Sequence, residues 1–198
     1  MKRLQFLQAL AVALGVATSS ASLAQGYPNK PIRLIVPFPA AGATDLFART
    51  LGQKMGDKLG TTLVVDNKPG AGGAIGSDQA AKAAPDGYTI LLATTSTHSI
   101  GPAVSKLPYD TVRDFTPIAH VGDAASIMLV PVNSPAKTVR EWIDYAKKNP
   151  GKLNYASSGN GTIVQLTAEL FKAQAGVFVT HIPYKGTALA IPDLISGK

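Results

Sequence analysis

The sequence predicts an α/β fold in two lobes, each a mainly parallel sheet flanked by helices. Two observations carry that prediction. Short apolar runs bounded by glycine and proline alternate with segments of helical periodicity. The alternation breaks once, between Phe115 and Val132, and then restarts. Repeats of strand, helix and strand build parallel sheets, because a parallel partner is reached only through a crossover.

The N-terminus precedes the fold. Lys2 and Arg3 stand before an apolar run from Leu4 to Val16, and Ser22-Leu23-Ala24 places small residues where a signal peptidase reads. Residues 1–24 are expected to be a signal peptide cleaved after Ala24, since the run is too short to span a bilayer as an anchor. Removing Lys2 and Arg3 lowers the formal charge from +7 to +5. A positive field favours anionic partners. The remaining charges are scattered, with no basic run longer than Lys147-Lys148, which argues against nucleic acid. The absence of cysteine removes disulfides and thiolate metal sites, and an exported chain of this kind fits the bacterial periplasm.

The first lobe, residues 25–122, opens with a strand in PIRLIVPF, whose apolar centre is Leu34-Ile35-Val36. A helix from about Asp45 to Leu59 follows, with Leu46, Phe47, Thr50, Leu51, Met55 and Leu59 on one stripe and Gly60 as the stop. TTLVVDN is the next strand, KPGAGGAIG a glycine-rich turn, SDQAAKAA a helix and YTILLATT a buried strand. The runs TPIAHVG and SIMLVPV, without an intervening helix, mark the passage into the second lobe, residues 123–198. There the order is helix TVREWIDYAKK, strand KLNYA, helix IVQLTAELFKAQAG, strand VFVTHIPY and helix ALAIPDLIS. A parallel lobe that ends on a helix predicts a truncated chain whose C-terminal part is missing.

Two loops have the residues of a binding site. PFPAAGATD follows the first strand, and SSGNGT lies between a strand and a helix of the second lobe. Each offers backbone N–H groups at a helix N-terminus, where Thr44 or Asp45 in one and Ser158 to Thr162 in the other are candidate caps. Such loops sit at the carboxyl ends of strands, the edge where open α/β sheets bind ligands. One alone reads as a capped turn, whereas one per lobe predicts a cleft. Neither contains Arg or Lys, so an anion there would be held by N–H groups, hydroxyls and helix dipoles, which suits a carboxylate. Thr94 and Ser96, after the third strand, open on the same edge, where their hydroxyls face a ligand or satisfy strand-end carbonyls.

Other patterns resemble chemistry and miss it. GAGGAIG departs from a dinucleotide fingerprint in spacing and in its distance from the strand, so its glycines serve close packing and no cofactor is expected. Ser134-Pro135-Ala136-Lys137 has the S-x-x-K spacing of penicillin-recognising serine enzymes. That chemistry needs both residues on one helical turn, but Thr138-Val139-Arg140-Glu141 is a capping box that starts the helix after Lys137. His98, His120 and His181 show no metal-ligand spacing, and His181 reads as a packed, hydrogen-bonded strand residue. No catalytic or metal site is expected.

The segments PIRLIVPFPAAGATD, NKPGAGGAIG, APDGYTILLATTSTHSI, LPYDTVRDFTPIAHVG, NPGKLNYASSGNGT and HIPYKGTALAIPDLISGK together resemble the Bug-type periplasmic receptors of tripartite tricarboxylate transporters, in order from Tyr27 to the last residue. The resemblance implies a two-lobed, periplasmic-binding-protein-like, monomeric receptor that closes on a small organic carboxylate and delivers it to a membrane permease. It implies a first cradle of Phe38, Ala40, Gly42, Ala43, Thr44 and Asp45, and a second of Ser158, Gly159, Asn160, Gly161 and Thr162. Ala41 stands where that family usually has Gly, and family members continue well past Lys198. Two readings from other classes are a periplasmic serine hydrolase built on Ser134 or Ser158 and a ligand-sensing domain for a signalling partner.

Overall fold

The protein's structure is a computed structural model that describes residues 26–197. The expected signal peptide and its cleavage point lie outside the described residues.

The first sheet has the strand order β2-β1-β3 and is parallel throughout. Its strands are β1 (Ile32–Val36), β2 (Leu63–Asn67) and β3 (Thr89–Leu91). The register pairs Ile32 with Leu63 and Val36 with Asn67 on one side, and Arg33 with Thr89 on the other. A central parallel strand is covered on both faces, which explains the continuous apolar run in β1. Leu34, Val36, Ala48 and Leu92 form the core cluster, with Val65 and Ile90 packed against it.

Helix α1 (Ala43–Leu59) covers this sheet, but not with the predicted stripe. Its buried residues are Asp45, Ala48 and Gly52, while Leu46 is 60% and Phe47 46% exposed. Small residues let the helix approach the sheet closely. A Cβ on Gly52 would lie 3.5 Å from Leu63 Cβ, and one on Gly56 would lie 2.7 Å from the Thr61 carbonyl oxygen. Burial therefore follows the Ala48-Gly52-Gly56 line, and larger side chains are displaced to the flanks. Gly60 ends the helix at φ 65° and returns its N–H to the Gly56 carbonyl, the left-handed cap that glycine adopts without a Cβ clash.

After β2 a 3₁₀ turn, Ala71–Gly73, leads into α2 (Ala74–Ala81), which starts earlier than predicted and takes in Ala74, Ile75 and Gly76. The glycines here serve close packing, as expected: a Cβ on Gly76 would stand 2.9 Å from Pro37 Cα. Beyond β3, one π-type turn (Ser96–Ile100) continues into the short helix α3 (Gly101–Val104), where the sequence had suggested only a loop. The passage from Phe115 to Val132 contains no helix or strand among the described residues. Its apolar side chains face outward, with Ile118 79%, Ile127 76% and Val132 97% exposed.

The second sheet pairs β4 (Asn154–Ser157) with β5 (Thr180–Pro183) in parallel, Asn154 opposite Thr180 and Ser157 opposite Pro183. Its helices are α4 (Val139–Lys148), α5 (Ile163–Ala175) and α6 (Ile191–Ser196), the last preceded by a 3₁₀ turn at Thr187–Ala190. Thr138 caps α4 as predicted, accepting from Glu141 N–H at 3.2 Å, but Glu141 Oε2 completes the box one residue early, accepting from Lys137 N–H at 2.7 Å. Ser134 and Lys137 thus lie ahead of the helix, and the S-x-x-K geometry of a serine enzyme does not arise.

Candidate functional site

The loop after β1 is built around Asp45. Its Oδ2 accepts from Ala41 N–H at 2.9 Å and from Arg49 Nε at 2.9 Å, and its Oδ1 accepts from Asn67 Nδ2 at 2.9 Å. Burial pushes the Asp45 carboxyl up, but these hydrogen bonds and the Arg49 charge outweigh it and hold the group below its ordinary value. These bonds make Asp45 the residue that shapes the loop. The cap prediction for this helix fails: Gly42 is the N-cap and no side chain caps it. Asp45 sits in the first turn and reaches back past the cap to Ala41. Asn67 Nδ2 also holds the Phe38 carbonyl at 3.0 Å, fixing the start of the loop to the end of β2. Ala40 and Ala43 are exposed, and Gly42 and Thr44 are half-buried.

The SSGNGT loop joins β4 to α5. Thr162 is the N-cap of α5, as the sequence predicted, accepting from Gln165 N–H at 3.5 Å while its hydroxyl donates to the Gly159 carbonyl at 2.7 Å. The N–H groups of both loop glycines are already used. Gly159 donates to Ser157 Oγ at 3.1 Å and Gly161 to Gln165 Oε1 at 2.7 Å. Ser158 and Asn160, by contrast, make no hydrogen bond among the described residues. Ser158 is 9% exposed, so its N–H and hydroxyl are donors held ready at the edge of a helix N-terminus. The glycines give the loop its path, with Gly159 at φ 129° and Gly161 at φ 72°, both disfavoured for L-residues.

The loops of the two lobes meet. Ile163 N–H, in the first turn of α5, donates to Ser96 Oγ at 3.0 Å, so a first-lobe hydroxyl caps a second-lobe helix. A Cβ on Gly72 would stand 2.8 Å from the Asn160 carbonyl oxygen, and one on Gly186 would stand 2.3 Å from Pro39 Cδ. At Gly72 two backbones therefore touch across the lobes, and at Gly186 a backbone meets the Pro39 ring; sequence reasoning missed both, and the glycine-dense GAGG and the K-G-T turn were their only signals. The Thr94 backbone is held by Thr97, its carbonyl accepting from the Thr97 hydroxyl at 3.0 Å and its N–H donating to the same oxygen at 3.1 Å, while the Thr94 hydroxyl lies 3.4 Å from that oxygen. A cavity of about 470 Å³ opens at this junction, lined by Gly72, Ile75, Val104 and Tyr109 together with Ser96, Asn160 and Gly161. Its size suits a small molecule. The first cradle, Phe38 to Asp45, does not line it, and neither do Thr94, Ser158, Gly159 and Thr162.

No activated nucleophile emerges from the serine readings. Ser134 Oγ accepts from Ala136 N–H at 3.3 Å, and Lys137 Nζ donates to the Val132 carbonyl at 3.3 Å. Ser157 lies 2.6 Å from His181 Nε2, but it is fully buried and already bonded to both backbone groups of Gly159.

A family model described as the tripartite tricarboxylate transporter family receptor matches residues 47–198. A UPF0065 protein of Bordetella pertussis is 43% identical over 192 residues, which is 95% of this chain and 58% of that protein. Among solved structures, one described as a periplasmic transporter superposes with TM-score 0.84 at 45% identity, over 86% of this chain and 58% of its own. Rpa4515 of R. palustris, with adipate, gives TM-score 0.82 at 34% identity over 85% and 56%. MatC of Rhodopseudomonas palustris, with bound malate, gives 0.75 at 30% over 86% and 58%. The chain thus spans somewhat more than half the length of the proteins it matches.

Proposed function

Because this chain belongs to the tripartite tricarboxylate transporter receptor family, we propose that it captures a small organic carboxylate between its lobes in the periplasm and delivers it to a membrane permease. The observation that carries this reading is that Ser158 and Asn160, beside the N-terminus of α5 near the junction of the lobes, make no hydrogen bond among the described residues. An anion there gains the helix dipole, about 0.3–1 kcal/mol and up to ~2 when partly buried, plus hydrogen bonds to uncharged donors. Relatives with adipate and with malate support the ligand class. The signal-like sequence of residues 1–24 supports the compartment, and the reading takes residues 25–122 and 123–198 as the two lobes.

The test is calorimetry on the protein with malate, adipate and a panel of short mono- and dicarboxylates. At least one acid should bind with a dissociation constant in the micromolar range or tighter and raise the melting temperature. Heat from none of them, in a protein that melts cooperatively, sinks the reading.

A further inference from the structure

His181 is clamped at both ring nitrogens, and both connections run on to the SSGNGT loop. Nε2 lies 2.6 Å from Ser157 Oγ, which accepts the Gly159 N–H at 3.1 Å. Nδ1 lies 3.3 Å from Gln165 Nε2, and the other end of that amide, Oε1, accepts the Gly161 N–H at 2.7 Å. One imidazole therefore stands behind both glycine amides.

Donor and acceptor bookkeeping fixes the protons. Gln165 Oε1 faces an N–H, so its NH₂ faces His181 and must donate to Nδ1. A lone pair at Nδ1 leaves the ring proton on Nε2, which donates to Ser157 Oγ. The Ser157 hydroxyl then donates to the Gly159 carbonyl at 3.2 Å, and every group in the circuit is satisfied. A proton added at Nδ1 would confront the Gln165 NH₂. The amide would have to turn over, and its NH₂ would then oppose the Gly161 N–H.

We propose that neutral His181 is the positioning residue of the carboxylate loop, holding Gly159 and Gly161 so that Ser158 and Asn160 present their donors, and that its protonation releases the loop and weakens capture. The link to capture rests on the proposed receptor function. The surroundings favour the neutral ring. It stacks on Tyr155 at 4.8 Å, and burial lowers its affinity for a proton. The charged and titratable groups facing it from β4 and α5 are Tyr155, Glu169 and Lys172. Glu169 favours the imidazolium and Lys172 opposes it, but Glu169 is already engaged by the Tyr155 hydroxyl and by Lys172 Nζ at 2.8 Å.

Nitrogen-15 NMR of the protein from pH 4.5 to 8 tests this. The ring should be the Nε2–H tautomer at neutral pH, and the Gly159 and Gly161 amide signals should titrate with the ring's midpoint. Gln165→Glu supplies a carboxylate that bonds both the Gly161 N–H and an Nδ1–H, so the ring midpoint should rise by at least one pH unit. Any carboxylate this close to the ring raises its midpoint, so the diagnostic result is that the Gly161 amide, still bonded by the carboxylate, no longer titrates with the ring. In calorimetry with malate or adipate, whichever binds, affinity should fall about tenfold below the midpoint, and His181→Gln should flatten that dependence. An Nδ1–H tautomer, glycine amides that ignore the ring, or affinity indifferent to the ring's charge would each overturn the proposal. Absence of binding at every pH would instead refute the receptor reading, and the NMR result would decide the positioning role alone.

Discussion

Ser96 Oγ accepts the Ile163 N–H at 3.0 Å, so a residue of one lobe caps the first helical turn of the other. Ser96 is 4% exposed, and removing its oxygen leaves that N–H without a partner. Ser96→Ala should cost about 1–2 kcal/mol, the scale of a lost helix cap. It should also speed hydrogen exchange at Ile163 more than at residues mid-helix in α5. Exchange at Ile163 indifferent to the substitution would show that the two lobes are not tied through this bond in solution.

Ala41 adopts φ 63° in the loop after β1. A left-handed conformation costs an L-residue roughly 1–2 kcal/mol, and glycine escapes it. Glycine also loosens the unfolded chain, offsetting about 0.4–1 kcal/mol of the gain. Ala41→Gly is therefore expected to stabilise by about 0.5 kcal/mol, seen as a higher denaturant midpoint with an unchanged slope. A lower midpoint would mean that the unfolded chain dominates.

These two sites differ in how far the sequence announced them. Position 41 stood out only through the resemblance to receptors that usually carry Gly there, since local chemistry does not separate Ala41 from Ala40 and Ala43. Strand β1, the glycine stops and the caps Thr138 and Thr162 were legible because each rests on the residues next to it in the chain. Local chemistry does not reveal which face of a helix meets a sheet when glycine and alanine do the packing, so the stripe through Leu46 and Phe47 misled. The contacts of Gly72 with Asn160 and of Gly186 with Pro39 join residues far apart in the chain, and only the folded backbone brings them together. His181 read as a packed strand residue, but its partners at Ser157 and Gln165 depend on the register of β4 with β5 and on where α5 lies.

Asp45 should set an acid limit on stability. Its folded pKa lies below the ordinary carboxylate value, so the unfolded state binds its proton more readily. Its contribution is fully present above the unfolded pKa of about 4 and is lost as pH falls through the lower folded value. Asp45→Asn removes the charge that Arg49 meets at 2.9 Å and should flatten stability below pH 4 relative to the parent. Asp45→Ala also orphans the Ala41 N–H and the Asn67 amide and should cost about 2–4 kcal/mol at pH 7. Parallel acid limbs for the parent and Asp45→Asn would refute the assignment.

Ser158 and Gly161 should separate binding from folding. Gly161 sits at φ 72°, and a Cβ there would come 2.9 Å from Val104 Cγ2, so Gly161→Val strains both the backbone and the junction of the lobes. Its melting temperature should fall along with its affinity, which makes it a poor probe of the ligand. Ser158→Ala removes a hydroxyl that has no partner among the described residues, so ligand-free stability should stay within about 0.5 kcal/mol. Affinity for malate or adipate in the parent protein should nevertheless drop by about 1–2 kcal/mol, roughly 5- to 30-fold, because a bond to a charged oxygen is lost. The amide analogue of the bound acid should bind more weakly still, since it carries no charge for the α5 dipole and turns an NH₂ toward donors. Calorimetry that gives Ser158→Ala and the parent equal affinity, or acid and amide equal affinity, would mean that the loop serves only to start the helix.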